Sequence, residues 1–359
     1  MTSLPRPPRL SVIVPAFQAE AYLPLTLEAL DSSDLPRAEW ELIVVDDGSH
    51  DRTSSVASRW ADRVVTLPAP PRGPAYARNS GAQVARGDWL VFVDADVQVL
   101  PTTLRSVTEA IAAPGKLVAL FGTYDANPPA PGIVSQFRNL HHRYVHLRCA
   151  GPVDTFWAGC GAVERTAFLA VGGFDATRFP RPQIEDIDLG YRLRDRGGEI
   201  RVDTRVQGAH LKNWTFRGGT VTDLFHRGVP WVQLLHERGG LIRDESLNLK
   251  SGERAKTLLV GAGVGSLAAG LVAGPPAFGV GIILLVVVVA WDLPALRWFA
   301  RLRGWSFAAC AAGLLLWYHF ISGLSVVLGT LAYAWRQLRR SQGTTTRLVR
   351  RLTPLTPGE

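Results

Sequence analysis

Short apolar runs alternate with amphipathic stretches through the first part of the chain, and long apolar runs fill the last third. Residues 10–14, 42–45, 63–67, 90–93 and 117–121 are rich in apolar and β-branched side chains, the pattern of strands buried on both faces. Between them, residues 20–30, a stretch opening near Thr53, residues 75–85 and residues 101–113 have helical character, the last with Pro101 at its start. Such alternation predicts an α/β fold with a doubly wound, mostly parallel sheet of Rossmann-like type. Residues 256–274, 275–293 and 306–335 differ in kind: each approaches or exceeds the roughly 18–20 apolar residues that cross a bilayer, and interior charge is almost absent. The expectation is a globular domain joined to a membrane anchor of two or three helices.

Two amphipathic stretches lie between these parts. Residues 136–148 interleave Phe137, Leu140, Tyr144 and Leu147 with basic side chains. On a helix those four share a face, which predicts an element lying on a membrane surface. His142 and His146 are four apart, a spacing that can hold a metal, but no glutamate base stands beside them and a structural histidine pair is favoured. Residues 220–235, with Phe225, Trp231 and Leu234, predict a second interfacial helix broken near Pro230.

The carboxylates fall at element ends. The run 89–93 stops on Asp94 and Asp96, and 41–45 stops on Asp46 and Asp47. Open α/β sheets bind ligands at the carboxyl ends of their strands, and two hard oxygen ligands there suit Mg²⁺ or Mn²⁺ shared with phosphates. Glu185, Asp186 and Asp188 open a further amphipathic stretch, where carboxylates also favour the free N–H groups of a helix start. Capping explains one of them and leaves the coincidence of three acidic clusters unexplained.

Bulk properties narrow the partners. The formal charge of the 359 residues is +8, much of it arginine flanking the apolar runs, as expected beside anionic lipid. No groove-binding motif or aromatic–basic platform supports nucleic-acid binding. Cys149, Cys160 and Cys310 have no metal-ligand spacing and do not form a disulfide framework. Residues 1–9 carry no leader-like apolar core, so the first domain is expected to remain cytoplasmic.

Six segments together carry a resemblance: Ser11-Val12-Ile13-Val14-Pro15, Val44-Val45-Asp46-Asp47-Gly48-Ser49, Gly73-Pro74-Ala75-Tyr76-Ala77-Arg78-Asn79, Phe92-Val93-Asp94-Ala95-Asp96, Gly172-Gly173-Phe174-Asp175 and Glu185-Asp186-Ile187-Asp188-Leu189. In this order they resemble the family 2 glycosyltransferases of the GT-A fold, in a bacterial membrane-anchored form, over residues 10–214. The resemblance implies transfer of a sugar, with inversion, from a nucleotide-diphosphate sugar; the anchor suggests a lipid or lipid-linked acceptor at the cytoplasmic face of the inner membrane. The resemblance also implies that Pro15, Ala16, Asp46, Asp47, Arg78, Asn79, Asp94 and Ala95 line the nucleotide-sugar site. Asp94, Asp96 and His210 are then the metal candidates, Asp186 the base and Glu185 its neighbour in the catalytic cluster. Asp188 reads as structural. Gln18 stands where the family often has Asn. Residues 157–161 (Trp-Ala-Gly-Cys-Gly) resemble an acceptor-side segment whose glycines let backbone approach the sugar. The Gln-x-x-Arg-Trp signature of processive members is absent, which disfavours a long polymer.

The domain reading that follows is 1–214 catalytic, 215–255 an interfacial linker, 256–335 transmembrane and 336–359 a basic tail. A polyprenyl phosphate acceptor, already ionised, would need no base, and the presence of Asp186 inclines toward a hydroxyl. An inactive scaffold would be marked by loss of Asp94, Asp96 or Asp186, all of which are present. A nucleotidyltransferase gives no reason for the Glu185–Asp186 cluster, and a transporter would need intramembrane carboxylates that the apolar runs do not offer. Three crossings place Arg297, Arg301 and Arg303 inside but Arg336, Arg339 and Arg340 outside, against the positive-inside tendency. The alternatives are an interfacial 256–274 or a re-entrant 306–335 turning near Gly323.

Overall fold

The computed structural model describes residues 8–241 and 247–352. Parts of the expected linker and basic tail, and the first seven residues, lie outside those ranges. In chain order the first domain runs β1 (Leu10–Ala16), α1 (Leu23–Asp31), β2 (Trp40–Asp46), α2 (Thr53–Ala57), β3 (Arg63–Thr66), α3 (Pro74–Val84), β4 (Trp89–Val93), β5 (Val97–Val99), α4 (Thr103–Ala112) and β6 (Leu117–Tyr124). It continues with α5 (Ile133–Arg148), β7 (Gly151–Val153), β8 (Cys160–Glu164), α6 (Arg165–Ala170), α7 (Glu185–Asp195) and β9 (Glu199–His210). The sheet order is β3-β2-β1-β4-β8-β6-β9-β5, with β7 paired to β9. Strands β1 to β4 are mutually parallel, as the alternation predicts. Beyond β4 the sheet becomes mixed, because β8 enters antiparallel between β4 and β6 and β5 returns antiparallel on β9.

Alternate side chains of the strands fill two cores, one on each face of the sheet. Val12, Val14, Leu42, Val44, Val91 and Val93 meet Leu23, Leu27 and Leu30 of α1 and Leu104 and Val107 of α4. On the other face Ile13, Ile43, Val45 and Phe92 meet α3, Phe168, Phe174 and Leu189 of α7. Helix α3 approaches β1 so closely that a Cβ on Gly81 would lie 2.6 Å from Ile13 Cγ2. Polar positions on the strands are tied off locally: Glu41 accepts from Ser11 Oγ at 2.6 Å and from the Arg86 amide at 2.7 Å.

The remaining elements are α8 (Phe216–Val221), a π-helical turn (Thr222–Gly228), α9 (Val229–Glu237), α10 (Ser251–Ala273), α11 (Pro275–Trp291), α12 (Leu293–Arg303) and α13 (Trp305–Leu352). The stretch 220–235 is therefore continuous, and what marks the approach to Pro230 is a π turn and not a break. Helix α5 departs from expectation. Phe137 and Leu140 are buried against Leu296, Phe299, Phe307 and Leu315 of α12 and α13, so its apolar face is covered by protein and not by lipid. Among the described residues two helices, Ser251–Ala273 and Trp305–Arg339, are long and apolar enough to cross a membrane. The run 275–293 instead becomes α11, which bends by 59° into α12. At that bend Asp292 is buried, with Lys256 Nζ 2.7 Å away and His319 Nε2 3.4 Å away. A carboxylate thus sits among the apolar helices, contrary to the sequence reading. It is paired, as buried charge must be.

Candidate active site

The carboxyl ends of β1, β2 and β4 bring three of the predicted segments together. Ala16 lies opposite Asp46 in the β1–β2 register, and its carbonyl accepts from the Asp47 amide at 2.8 Å. Pro15 precedes it on the same strand. The Asp47 carboxylate accepts from the amides of Arg72 at 3.0 Å and Gly73 at 2.6 Å, so it anchors the loop that enters α3. Asp46 accepts from the Ser49 amide at 3.0 Å. Gln18, at φ 49°, uses Oε1 to hold the amides of His50 and Asp51.

Loop entry into α3 aims Arg78 at two acidic clusters at once. Its guanidinium donates to Asp94 Oδ1 at 2.7 Å and to Glu185 Oε1 at 3.0 Å, and the side chain is buried. Burial opposes its charge, yet Asp94, Glu185 and Asp186 hold it above the ordinary arginine value. Asn79, the next residue, turns away: its amide group donates to the Phe174 carbonyl at 2.8 Å and accepts from the Phe174 amide at 2.9 Å. Its polar atoms are spent pinning the Gly172–Gly173–Phe174 turn.

Asp94 and Asp96 face the cleft with side chains 34% and 27% exposed, and the Ala95 carbonyl between them accepts from Thr26 Oγ1 at 2.8 Å. Burial pushes the Asp94 carboxyl up, with Arg78 opposing and Asp96 adding to the rise. Burial would also raise Asp96, but the hydrogen bond and charge of His210 hold it below its ordinary value. His210 arrives from the end of β9, opposite Val97 in the sheet, with Nε2 3.3 Å from Asp96 Oδ2. Its ring stacks on Tyr124 at 5.1 Å, and Trp214 Nε1 donates to its Nδ1 at 3.4 Å.

Glu185 and Asp186 open α7. The second oxygen of Glu185 accepts from the Gln183 amide at 2.9 Å. Asp186 accepts from the Ala158 amide at 3.1 Å and the Ile187 amide at 2.9 Å. Burial first, and Glu185 second, push its carboxyl up to about 6. Asp188 faces the other way and accepts from Arg192 Nε at 2.8 Å, the structural role expected of it.

Tyr124 and Arg227 of this cleft carried no signal in the sequence, and the packing of Trp157 with His142 and His146 was not legible there. Trp157 packs edge-on to Tyr124 and near His142 and His146. Both histidines are held neutral by burial, His146 down to about 4, which fits a packed aromatic wall. The glycines of 157–161 serve this wall: a Cβ on Gly159 would strike the Trp157 ring at 2.5 Å, and one on Gly161 the Trp157 carbonyl at 2.5 Å. They make room for tryptophan. Arg227, from the π turn, is near enough for its charge to act on Asp186, Tyr124 and His142. Arg138 forks onto Asp223 of the same turn, at 2.5 and 2.9 Å, and lies over the Trp214 ring.

The family model described as "Glycosyl transferase family 2" matches residues 11–171. Residues 11–171 are a glycosyl transferase family 2 domain. That domain holds Asp46, Asp47, Arg78, Asp94 and Asp96, while α7 and His210 lie beyond its end. Among similar proteins are a validoxylamine A glucosyltransferase of Streptomyces hygroscopicus subsp. limoneus, 29% identical over 232 residues, covering 56% of this chain and 51% of the relative. An uncharacterized glycosyltransferase of Haemophilus influenzae is 34% identical over 195 residues, covering 51% of this chain and 61% of its own. The chain thus spans about half the length of the curated relatives it matches. Mannosyltransferase PcManGT from Pyrobaculum calidifontis, solved with GDP-Man and Mn²⁺, shares the fold over 92% of this chain and 88% of that one, at 21% identity and TM-score 0.55. Staphylococcus aureus TarS 1-349 with UDP-GlcNAc covers 92% of each chain at 17% identity and TM-score 0.50. The fold is therefore that of the GT-A glycosyltransferases.

Proposed function

We propose that the protein is a membrane-anchored, inverting, metal-dependent glycosyltransferase that moves a sugar from a nucleotide-diphosphate sugar to a lipid or lipid-linked acceptor. The observation that carries this reading is the convergence of Asp94, Asp96 and His210 with Glu185 and Asp186 on one cleft, joined through Arg78. The PcManGT complex with GDP-Man and Mn²⁺ supports the same assignment of donor and metal class. Residues Pro15, Ala16, Asp46 and Asp47 form the rim where the nucleoside end would rest, and catalysis would sit on the domain's cytoplasmic side of the inner membrane.

The donor set fits Mg²⁺ or Mn²⁺. Among the described residues no three His, Cys, Asp or Glu side chains gather as a closed metal cage. Asp96 and His210 form an open pair that would hold such an ion while leaving it accessible to the oxygen ligands small hard cations prefer. When bound there, such an ion neutralises charge developing on the diphosphate leaving group. Asp94 would position the donor while Arg78 holds it in register. Asp186 would accept the proton of an acceptor hydroxyl as that oxygen attacks the anomeric carbon from the face opposite the leaving group. A carboxyl raised to about 6 is ionised at neutral pH yet basic enough to share a proton.

The test is a nucleotide-sugar hydrolysis and binding screen on detergent-purified full-length protein with and without Mn²⁺, run beside Asp96→Asn. Metal-dependent release of a single nucleoside diphosphate, abolished by the substitution, is expected. Folded protein that binds no nucleotide sugar under any metal condition would overturn the catalytic reading in favour of a scaffold.

A further inference from the structure

The two apolar elements after α9 meet their surroundings in different ways. Helices α10 and α11 pack on each other through small residues, where a Cβ on Gly281 would lie 2.8 Å from the Gly263 carbonyl, and a single glycine, Gly274, joins them. Their outer side chains are bare: Leu271 is 82% exposed and Val272, at the tip, 93%. No charged residue stands between Lys256 and Asp292. Those two pair with each other, so both feet of the hairpin end at the same depth. At 23 residues α10 is about 34 Å long, the thickness of a bilayer core.

Helix α13 instead stays on the domain for most of its length. Phe307, Ala308 and Leu315 pack with Phe137 and Leu140 of α5. Trp317 Nε1 donates to Thr220 Oγ1 at 3.0 Å, and Tyr318 meets His141 at 4.8 Å. Ser325 fills the space beside Gly228, and Val232 fills that beside Gly329. Finally His236 Nε2 lies 2.9 Å from Thr330 Oγ1 and its ring stacks on Tyr333. From 307 to 333 the helix advances about 39 Å, at about 1.5 Å per residue, without leaving the domain. A helix crossing along the membrane normal would part from it within a turn or two. It meets the hairpin at the foot, where Gly323 faces Thr257 and His319 faces Asp292. The opposite face of α13 carries Val327, Leu331, Trp335 and Leu338, exposed and at helical spacing. Arg336 and Arg339 follow on its last exposed turns, as Arg297 and Arg301 do on α12.

We infer that only the α10–α11 hairpin crosses the bilayer, while α13 lies in the plane of the membrane surface, its domain face on α5, α8 and α9 and its outer face against anionic lipid. The inference rests on the reading that the C-terminal helices meet a membrane, and it is independent of whether the cleft transfers sugar. It places Arg297, Arg301, Arg336 and Arg339 all on the domain's side, which removes the charge conflict of a three-crossing path. It also dispenses with re-entry near Gly323, since α13 runs through that position as one helix.

Impermeant-maleimide labelling of full-length protein in right-side-out and inverted vesicles tests it. Cys149 and Cys160 are buried and Cys310 is exposed, so Cys310→Ser provides the background. Single thiols are then added as Ser58→Cys on the domain, Val272→Cys at the hairpin tip and Gln337→Cys late in α13. Ser58→Cys and Gln337→Cys should label in the same vesicle orientation, and Val272→Cys in the other. Labelling of Gln337→Cys from the side opposite Ser58→Cys overturns the in-plane helix. Labelling of Val272→Cys from the domain's side, or from neither side, overturns the crossing hairpin. An epitope added after Glu359 and probed with antibody in the same vesicles reads the side of α13's end with no thiol introduced, and its protection wherever the domain is accessible overturns the inference equally. The donor-hydrolysis screen is read separately, so loss of the catalytic reading leaves this result standing.

Discussion

Arg78 carries more of the cleft than its place on a helix suggests. Among the described residues it is the side chain that joins the strand-end Asp94 to the helix-start Glu185, and both it and Glu185 are buried, with side chains 6% exposed. Removing one member of a buried ion pair strands the other, which costs about 3–5 kcal/mol. Arg78→Met should therefore lower the unfolding free energy of the purified protein by about 3 kcal/mol as well as abolish donor binding, read by denaturant unfolding and by nucleotide-sugar titration. Asp186 makes a separable prediction. Asp186→Asn keeps the shape and one of the two backbone hydrogen bonds, so donor affinity should persist while kcat falls about 10²–10⁴-fold. A base works ionised, and its raised carboxyl takes up a proton as pH falls through about 6, so the transfer rate should drop below that pH and plateau above it. A pH–rate profile that stays flat from pH 5 to 8 would remove Asp186 from that role.

At the scale of elements, β1, β2 and β4 were legible because each is a mostly apolar, buried run ended by polar or turn residues. The strand-end acids were legible for the same reason: a carboxylate after an unbroken buried run has few structural excuses. Other features were hidden by distance. Residues Tyr124, Trp157, His210 and Trp214 meet only because β6, β8 and β9 lie side by side, an order that follows from long-range pairing and not from local pattern. Residues 136–148 mislead for a related reason, since an amphipathic face reads alike whether lipid or another helix covers it. Its cover is α12 and α13, so Phe299→Ala, which empties a fully buried site against Phe137, should cost about 3–5 kcal/mol in thermal or chemical unfolding. A value near zero would return α5 to the membrane surface.

Across the whole molecule, the family 2 domain and the apolar helices are not two bodies on a tether. Helix α5 touches the sheet on one side and the anchor on the other, and the Lys256–Asp292 pair fixes the anchor's foot. Lys256→Met alone should therefore lower the melting temperature in detergent, while Lys256→Met with Asp292→Leu should recover most of the loss, because the lone buried charge is then gone. The bridge made by Arg78 has one more consequence. On the proposed function Asp94 would serve the donor's end of the cleft and Glu185 the acceptor's, and one guanidinium is divided between them. Any ligand that draws on Asp94 changes how tightly α7 is held, and any ligand that settles α7 changes what Asp94 has to offer. Thermodynamic linkage makes that exchange symmetrical: whatever factor the first substrate contributes to the affinity for the second, the second returns to the first.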